Sequence, residues 1–371
     1  MAQSTNQNLL QEIDGRINID IDSLDNGFLR SLSITPNDQT CNPRWLSVQV
    51  EDPSSSDLLK TTALELQGDG FLAVGTRLAV RFCRQNIPFI KGRVLVQTSP
   101  SAAYDCQKTL DHARLFASEF ERAEIPKDRY CIKIMATGPG LSAAKILNGE
   151  GISTLGTGVF SVAQAIACSQ AGCLFISPYY NEIRTYLNPS LWPDVADPAL
   201  EHPFSHRIAQ MVQAYKDLFK QTGNQQPLIK NAGFFSYREV IATAELGCHS
   251  ATLSKDNLEE LQDMESTKVA LPVGVKIASL RSPYSDDAEI LSPRLKQLMT
   301  SDPLATLRPG ETWSPTDINL DYLANGGQIL EEVLAKDEAA TRMVRDALEL
   351  FMYSEAEMQK VIEAVWSRAS L

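Results

Sequence analysis

The sequence lacks a long apolar run. Nowhere do about 18 apolar residues follow one another, which is the length that a membrane-spanning helix needs. The N-terminus lacks the basic stretch and apolar core of a secretory signal peptide. Basic residues are outnumbered by acidic ones, and a formal net charge of -12 disfavours binding to nucleic acid or to an anionic membrane. We therefore expect a cytoplasmic protein with neither kind of partner.

Paired cysteines and clustered histidines are also missing. The seven cysteines are an odd number without CxxC spacing, and several fall in apolar segments. This pattern indicates buried thiols rather than disulfides or metal ligands. Of the four histidines, only His202 and His206 stand four residues apart. The sequence therefore predicts no metal site.

Short apolar runs alternate with helical patterns along a chain of ordinary globular composition, with 43% hydrophobic and 22% charged residues. Continuous apolarity over so few residues is typical of parallel strands covered on both faces. The predicted strands cover 17–21, 93–97, 130–135, 153–157, 173–177, 228–232 and 250–253, with a short eighth strand around Thr40. Such alternation favours a closed parallel barrel or a doubly wound sheet.

The clearest helix has Ser205 as its N-cap, apolar residues at spacings of three and four, and an end at Gly223. Further helices are predicted over 58–85, with a break near Gly68 and Gly70, and over 104–121, 141–147, 161–170, 237–246 and 255–263.

The C-terminal part of the chain lacks the alternation of strands and helices that precedes it. Residues 264–315 are rich in Ser, Pro and charge, and we interpret them as a connection. Helices are predicted over 317–335, 338–351 and 354–367, either outside a barrel or across its mouth. We expect residues 1–371 to form a single domain with a core over about 16–263, since α/β barrels of about 250 residues commonly do so.

One predicted strand, YCIKIM at 130–135, has a lysine at its centre. A lysine is rarely buried without a partner or a purpose. One interpretation of Lys133 is a structural ion pair inside the sheet. The other is that burial lowers the pKa of its amine, so that a neutral nucleophile is available to attack a carbonyl carbon near pH 7.

Four stretches in order and at matching spacing resemble the transaldolase family. They are DQTCNP at 38–43; GRVLVQ at 92–97 followed by Tyr104-Asp105; KIMATGPG at 133–140 ahead of TGVFSVAQA at 157–165; and AGCLFISPY at 171–179. The resemblance covers Arg16 to about Leu261. It implies a (β/α)8 TIM barrel, with extra C-terminal helices, that works without a cofactor.

The resemblance also assigns catalytic roles. Lys133 corresponds to the lysine that forms a Schiff base with a small-molecule carbonyl substrate. Asp22 corresponds to the aspartate that handles the protons of substrate hydroxyls, with Asp20 as the alternative. Thr157 corresponds to the threonine that holds the catalytic water. Where the family has a proton-shuttling glutamate, this chain has Gln97.

Substrate-binding positions follow from the same resemblance. Asn42 corresponds to the asparagine that orients the substrate, and Thr40 is counted with it. Ser177 and Tyr179 match residues that line the pocket. A local structural role stays open for several of these side chains: Asp22 could cap a helix, Asn42 could shape the turn before Pro43, and the hydroxyls of Thr157 and Ser177 could bond to backbone.

The phosphate end of the substrate site departs from the family. Gly233 and Phe235 stand in place of a serine and an arginine, and Glu182 stands in place of a second arginine. A carboxylate and an apolar ring would bind a phosphate dianion poorly. Of the cations that could compensate, Arg184 and Arg238 are predicted on helices outside the pocket, and Lys230 lies in a strand.

These features predict aldol, retro-aldol or related iminium chemistry on a non-phosphorylated carbonyl substrate, in a specialised pathway. A true transaldolase that moves a dihydroxyacetone unit between sugar phosphates is the first alternative. A catalytically inactive barrel with a binding role is the second. The sequence leaves open whether the protein forms a homodimer.

Overall fold

A closed barrel of parallel strands forms the centre of the molecule in a computed structural model that describes residues 7–266, 284 and 291–369. Each strand pairs with its neighbours in chain order, and the last pairs with the first. The strands are β1 Asn18–Asp22, β2 Gln39–Cys41, β3 Val94–Gln97, β4 Tyr130–Met135, β5 Thr154–Val159, β6 Phe175–Pro178, β7 Leu228–Ala232 and β8 Ser250–Leu253. The predicted barrel is confirmed.

Two apolar layers hold the strands in place. A large core lies between the sheet and the surrounding helices. A separate cluster of Leu95, Cys131, Leu155 and Phe175 fills the inside of the barrel. Because side chains of a strand alternate between its faces, Lys133 shares the inner face with Cys131, two residues before it. The pleat thus directs the Lys133 amine into the barrel.

Helices follow the strands as predicted, with shifted ends in most cases. The described helices of this part are α1 Leu9–Asp14, α2 Asn26–Ser31, α3 Pro43–Glu51, α4 Ser56–Glu65, α5 Phe71–Asn86, α6 Cys106–Arg122, α7 Gly138–Gly149, α8 Val162–Gln170, α9 Pro198–Glu201, α10 Pro203–Thr222, α11 Tyr237–Glu245 and α12 Lys255–Asp263. The predicted break near Gly68 and Gly70 is confirmed, since it separates α4 from α5. Helices α1, α2, α3 and α9 were not predicted.

The predicted N-cap of α10 is wrong. The helix begins at Pro203, and its N-cap is His202, whose Nδ1 accepts the Phe204 N–H at 3.1 Å. Proline at the first helical position needs no hydrogen-bond partner for its nitrogen, so it favours this earlier start. Ser205 instead donates from its hydroxyl to the Pro198 carbonyl at 2.7 Å.

Two described helices end the chain: α13 Ala324–Leu334 and α14 Glu338–Ala369. The predicted division of α14 around residues 352–353 is wrong. Ser354, expected to begin a new helix, donates from Oγ to the Leu350 carbonyl at 3.0 Å and so bonds within one continuous helix. The predicted start at 317 is also wrong, because 317–323 is non-helical. In the predicted connection, 267–283 and 285–290 lie outside the described residues.

The two C-terminal helices occupy different places. Helix α13 packs on α7 and α8 at the side of the barrel, while α14 packs on α3, α4 and α5. Leu350 and Phe351 of α14 line the cavity at the mouth of the barrel. One C-terminal helix therefore lies outside the barrel and the other reaches its mouth, and the sequence had predicted these two positions as alternatives. None of the described helices is long and apolar enough to cross a membrane.

Candidate active site

A cavity of about 660 Å³, including the solvent at its mouth, lies at the carboxyl ends of the barrel strands. Barrel enzymes build their active sites at this end. Seven side chains or backbone positions predicted from the sequence line it: Asp22, Thr40, Asn42, Lys133, Ser177, Tyr179 and Gly233. The fold thus brings residues from β1, β2, β4, β6 and β7 to one place.

A chain of hydrogen bonds links the lysine to an aspartate. Lys133 Nζ donates to Thr40 Oγ1 at 2.9 Å, and Thr40 Oγ1 donates to Asp22 Oδ1 at 2.9 Å. Lys133 is 4% exposed and makes no ion pair with any residue in the described part of the chain. Its amine is therefore buried and oriented without a carboxylate in direct contact.

Asp22 is held from its other side by two donors. Trp45 Nε1 donates to Oδ2 at 2.6 Å, and Asn42 Nδ2 lies 3.5 Å from the same oxygen. Burial raises the pKa of the Asp22 carboxyl, while the Lys133 charge and the bonds from Thr40 and Trp45 oppose that rise. Asp22 caps no described helix. Asn42 does: it is the N-cap of α3 and accepts the Trp45 N–H at 3.2 Å.

The two strand lysines differ in their partners. Burial lowers the pKa of the Lys133 amine, although the Asp22 carboxylate opposes it. Burial acts in the same direction on Lys230, but two carboxylates outweigh it and raise the pKa of that amine. Lys133 is thus the lysine that deprotonates more readily.

Lys230 is the centre of an ion-pair network inside the barrel. Its Nζ lies 2.9 Å from Asp20 Oδ2 and 2.7 Å from Asp38 Oδ2, and 4.5 Å from the centroid of the Phe175 ring. Burial is the main cause that raises the pKa of Asp20, to about 6, against the opposing effect of Lys230. Asp20 is engaged here, so the geometry favours Asp22 over Asp20 as the partner of Lys133.

Thr157 and Tyr179 form a second polar pair. Thr157 Oγ1 and the Tyr179 hydroxyl are 2.9 Å apart, and both side chains are buried. Tyr179 lines the cavity, and burial raises the pKa of its phenol. Ser177 lines the cavity from the neighbouring β6. The hydroxyl of Thr157 is thus bonded to a pocket side chain.

Gln97 is adjacent to Lys133 in the sheet register. Its side chain is buried, and neither its amide nitrogen nor its amide oxygen has a hydrogen-bond partner among the described residues. It lines a second cavity, of about 400 Å³, between the barrel, α3, α5, α6 and α14. An amide cannot exchange protons as a carboxyl group does, so Gln97 cannot replace the family's glutamate in that role.

The arginines around the predicted phosphate end are held in ion pairs. Glu182 accepts bonds from Arg342 of α14 and from Arg184, and it does not line the cavity. Phe235 also lies outside the lining and packs on Tyr186, with ring centroids 4.6 Å apart. Arg238 binds Asp194 instead of facing the cavity. The substrate-binding roles of Glu182 and Phe235 stay predictions that this placement does not favour.

Eleven of the lining residues were not predicted from the sequence, and three of them, Arg44, Trp45 and Tyr186, place a cation and two aromatic rings in the cavity. Arg44 and Trp45 lie on the first turn of α3, directly after the Asn42-Pro43 pair. An N-cap asparagine followed by proline is a helix-start signal that could have placed both residues at the strand end. Tyr186 lies in a 3-10 helix, Ile183–Tyr186, for which the sequence offers no clear periodicity.

The structure also shows where the cysteines lie and whether potential metal ligands cluster among the described residues. Six of the seven cysteines are buried, Cys106 is half-buried, and all are free. Within residues 7–266, 284 and 291–369, no group of three or more His, Cys, Asp or Glu side chains is placed to hold a metal ion. The absence of a metal in the reaction stays a prediction.

The fold and the cavity define a (β/α)8 barrel with its polar site at the carboxyl ends of the strands. The chain belongs to the transaldolase/fructose-6-phosphate aldolase family, whose model matches residues 19–301. A transaldolase of Methylibium petroleiphilum is 28% identical over 243 residues, which are 65% of this chain and 75% of that protein. Membership supports aldolase-type chemistry.

Among solved structures, the PaMucR phosphodiesterase in complex with c-di-GMP is similar at 13% identity, over 58% of this chain and 85% of that one. The TM-score of this match is 0.33.

Proposed function

We propose that this protein makes or breaks carbon–carbon bonds through a Schiff base on Lys133, acting on a non-phosphorylated carbonyl substrate in a specialised pathway of the cytoplasm. One observation carries the proposal: a buried amine with a lowered pKa, bonded through Thr40 to the carboxylate of Asp22. Burial without a direct ion pair is the environment that makes a lysine nucleophilic. A structural lysine in the same barrel, Lys230, has the opposite environment.

The reaction begins at the neutral amine. Nζ of Lys133 adds to the substrate carbonyl carbon, and loss of water from the carbinolamine gives an iminium ion. In the cleavage direction, the hydroxyl on the β-carbon loses its proton to Asp22 as the Cα–Cβ bond breaks. The bonding electrons move to the α-carbon and neutralise the iminium as an enamine. The β-carbon and its deprotonated oxygen become the carbonyl group of the first product, which leaves. Protonation of the enamine at its α-carbon regenerates an iminium ion, and addition of water releases the second carbonyl product and free Lys133.

Five other side chains have supporting roles in this proposal. Thr40 fixes the direction of the Lys133 amine by accepting its hydrogen bond. Thr157 and Tyr179 present hydroxyls that can hold the water for hydrolysis. Asn42 and Ser177 line the cavity and would bond to substrate hydroxyl or carbonyl oxygens.

A lack of phosphate recognition is supported by the ion pairs that hold four cations around the predicted phosphate end and the strand β7. Glu182 is neutralised by Arg342 and Arg184, and Arg238 by Asp194. Lys230 forms ion pairs with two aspartates inside the barrel and does not line the cavity. None of these four cations is therefore available to bind a phosphate dianion.

The test is reductive trapping. The protein is incubated with dihydroxyacetone or pyruvate and sodium borohydride, and its intact mass is measured. The proposal predicts one covalent adduct per chain that appears only when both reagents are present. No adduct with either probe or with any of a broader set of aldehydes and ketones would instead support the inactive-barrel alternative.

A further inference from the structure

Arg44 is a cation in the lining of the cavity that holds Lys133. It lies on the first turn of α3, whose N-cap Asn42 lines the same cavity. Within the described parts of the chain, no carboxylate lies within ion-pair distance of its guanidinium. The nearby cations Lys230, Arg184, Arg238 and Arg342 are, in contrast, all paired. Arg44 is therefore the cavity guanidinium left to meet a ligand.

Two aromatic rings fix the position of Arg44. Its guanidinium carbon lies 5.2 Å from the Trp45 ring centroid and 5.5 Å from that of Tyr186. Both distances fall within the range of about 6 Å over which such a cation is attracted by a ring face. Trp45 also donates to Asp22, and Tyr186 lines the cavity. A held guanidinium loses less conformational entropy when it binds a ligand.

The surroundings of Arg44 favour a monoanion. Asp22 lines the same cavity and would repel a dianion, and the proposed mechanism requires Lys133 to be neutral before it reacts. The polar lining residues in and directly after β8, Thr252, Ser254 and Asn257, are neutral. One planar guanidinium matches one planar carboxylate through two parallel hydrogen bonds, whereas a phosphate dianion would be left half-neutralised.

We propose that Arg44 binds a carboxylate of the substrate, so that the natural substrate is an oxo acid whose carbonyl carbon reacts with Lys133. This inference rests on the proposed function and names its substrate class. It assigns selectivity to Arg44 and chemistry to Lys133, so the two can be tested apart.

The experiment compares matched aldehydes in the trapping reaction with cyanoborohydride. The pairs are butanal with 4-oxobutanoate and pentanal with 5-oxopentanoate, which differ by a terminal carboxylate. A third pair, glyceraldehyde with glyceraldehyde 3-phosphate, tests phosphate. The measured quantity is the ratio of trapping efficiencies within each pair, read from intact mass and from the mass of the peptide that contains Lys133.

The wild-type protein should prefer the carboxylate in at least one chain length by roughly ten- to hundredfold, the gain expected of a charge-assisted bond. Arg44→Met should bring that ratio close to one. Arg44→Lys, which keeps the charge but not the planar fork, should give an intermediate ratio. The control is Arg30→Met, since Arg30 is an exposed arginine over the Phe89 ring and outside the cavity; it should keep the wild-type ratio.

Equal trapping of acids and neutral aldehydes, a preference that survives Arg44→Met, or a larger preference for the phosphorylated probe would each overturn the role of Arg44 and leave the Schiff base standing. A complete absence of adducts at Lys133 would overturn the proposed function, and this inference with it.

Discussion

Two lysines that are both buried inside the barrel differ in what surrounds their amines. Lys230 faces two carboxylates and keeps its proton, while Lys133 faces a hydroxyl and has a lowered pKa. The sequence placed both lysines in strands, but it could not show which one was paired. That difference depends on Asp20 and Asp38, which meet Lys230 only when β1, β2 and β7 close into a barrel.

The first prediction concerns the pH dependence of Lys133. Its neutral fraction, and hence the rate of trapping, should rise with pH through the pKa of the folded protein, which lies below the ordinary lysine value. The Asp22 carboxylate raises that pKa, so Asp22→Asn should move the midpoint of the profile to lower pH. Initial rates of trapping over a pH series give the midpoint. An unchanged or higher midpoint would remove Asp22 from the environment of the amine.

The reverse substitution tests the same electrostatics at Gln97. This amide neighbours Lys133 in the register and is buried without a bonding partner among the described residues. Gln97→Glu would bring a carboxylate towards the amine and should shift the trapping midpoint to higher pH. A profile like that of the wild type would mean that this side chain is directed into the second cavity and away from Lys133.

At the scale of elements, Lys230 joins β7 to Asp20 of β1 and to Asp38, the residue directly before β2. Lys230→Met would leave Asp20 and Asp38 buried without their cation, and such a loss costs about 3–5 kcal/mol. Urea unfolding at pH 7 measures it. Burial already raises the pKa of Asp20 and the Lys230 charge opposes that rise, so removing the lysine should raise this pKa further. The loss of stability should therefore diminish as the pH falls and Asp20 is protonated.

A matched control exists in Lys255, which also faces a carboxylate and a ring, Asp25 at 3.4 Å and Phe28 at 4.9 Å, but at the surface. Exposed pairs contribute less than about 1 kcal/mol, so Lys255→Met should change the free energy of unfolding little. Similar losses for both variants would show that burial of the Lys230 network has no special cost.

The strands and most barrel helices were predictable because their apolar periodicity is set locally. Strands β4, β7 and β8 have their predicted ends, and the break after α4 follows from Gly68 and Gly70. The continuity of α14 was not predictable in this way, because Ser354 is equally suited to capping a helix and to bonding within one. Arg44 was overlooked for a related reason: its importance comes from Tyr186, which is distant in sequence and meets it only in the fold.

At the scale of the whole molecule, α14 reaches the mouth of the barrel, where Leu350 and Phe351 line the cavity. Arg342 of this helix binds Glu182. Glu182 is the residue that stands where the family resemblance places a phosphate-binding arginine. We therefore expect the kcat/KM for transfer from fructose 6-phosphate to erythrose 4-phosphate to lie roughly 10²–10⁴-fold below that of a phosphate-binding transaldolase, since two charge-assisted contacts are lost. A coupled assay against such an enzyme measures this. Comparable turnover would return the chain to the true transaldolase alternative.

The covalent role of Lys133 is tested most directly by mapping the adduct. After borohydride reduction in the presence of the best-trapped probe, the protein is digested and the modified peptide is sequenced by mass spectrometry. We predict a single modified lysine at 133, and no labelling of Lys133→Met, whose folding is checked by circular dichroism. Labelling at Lys230 or elsewhere, or labelling that persists in folded Lys133→Met, would contradict the assignment.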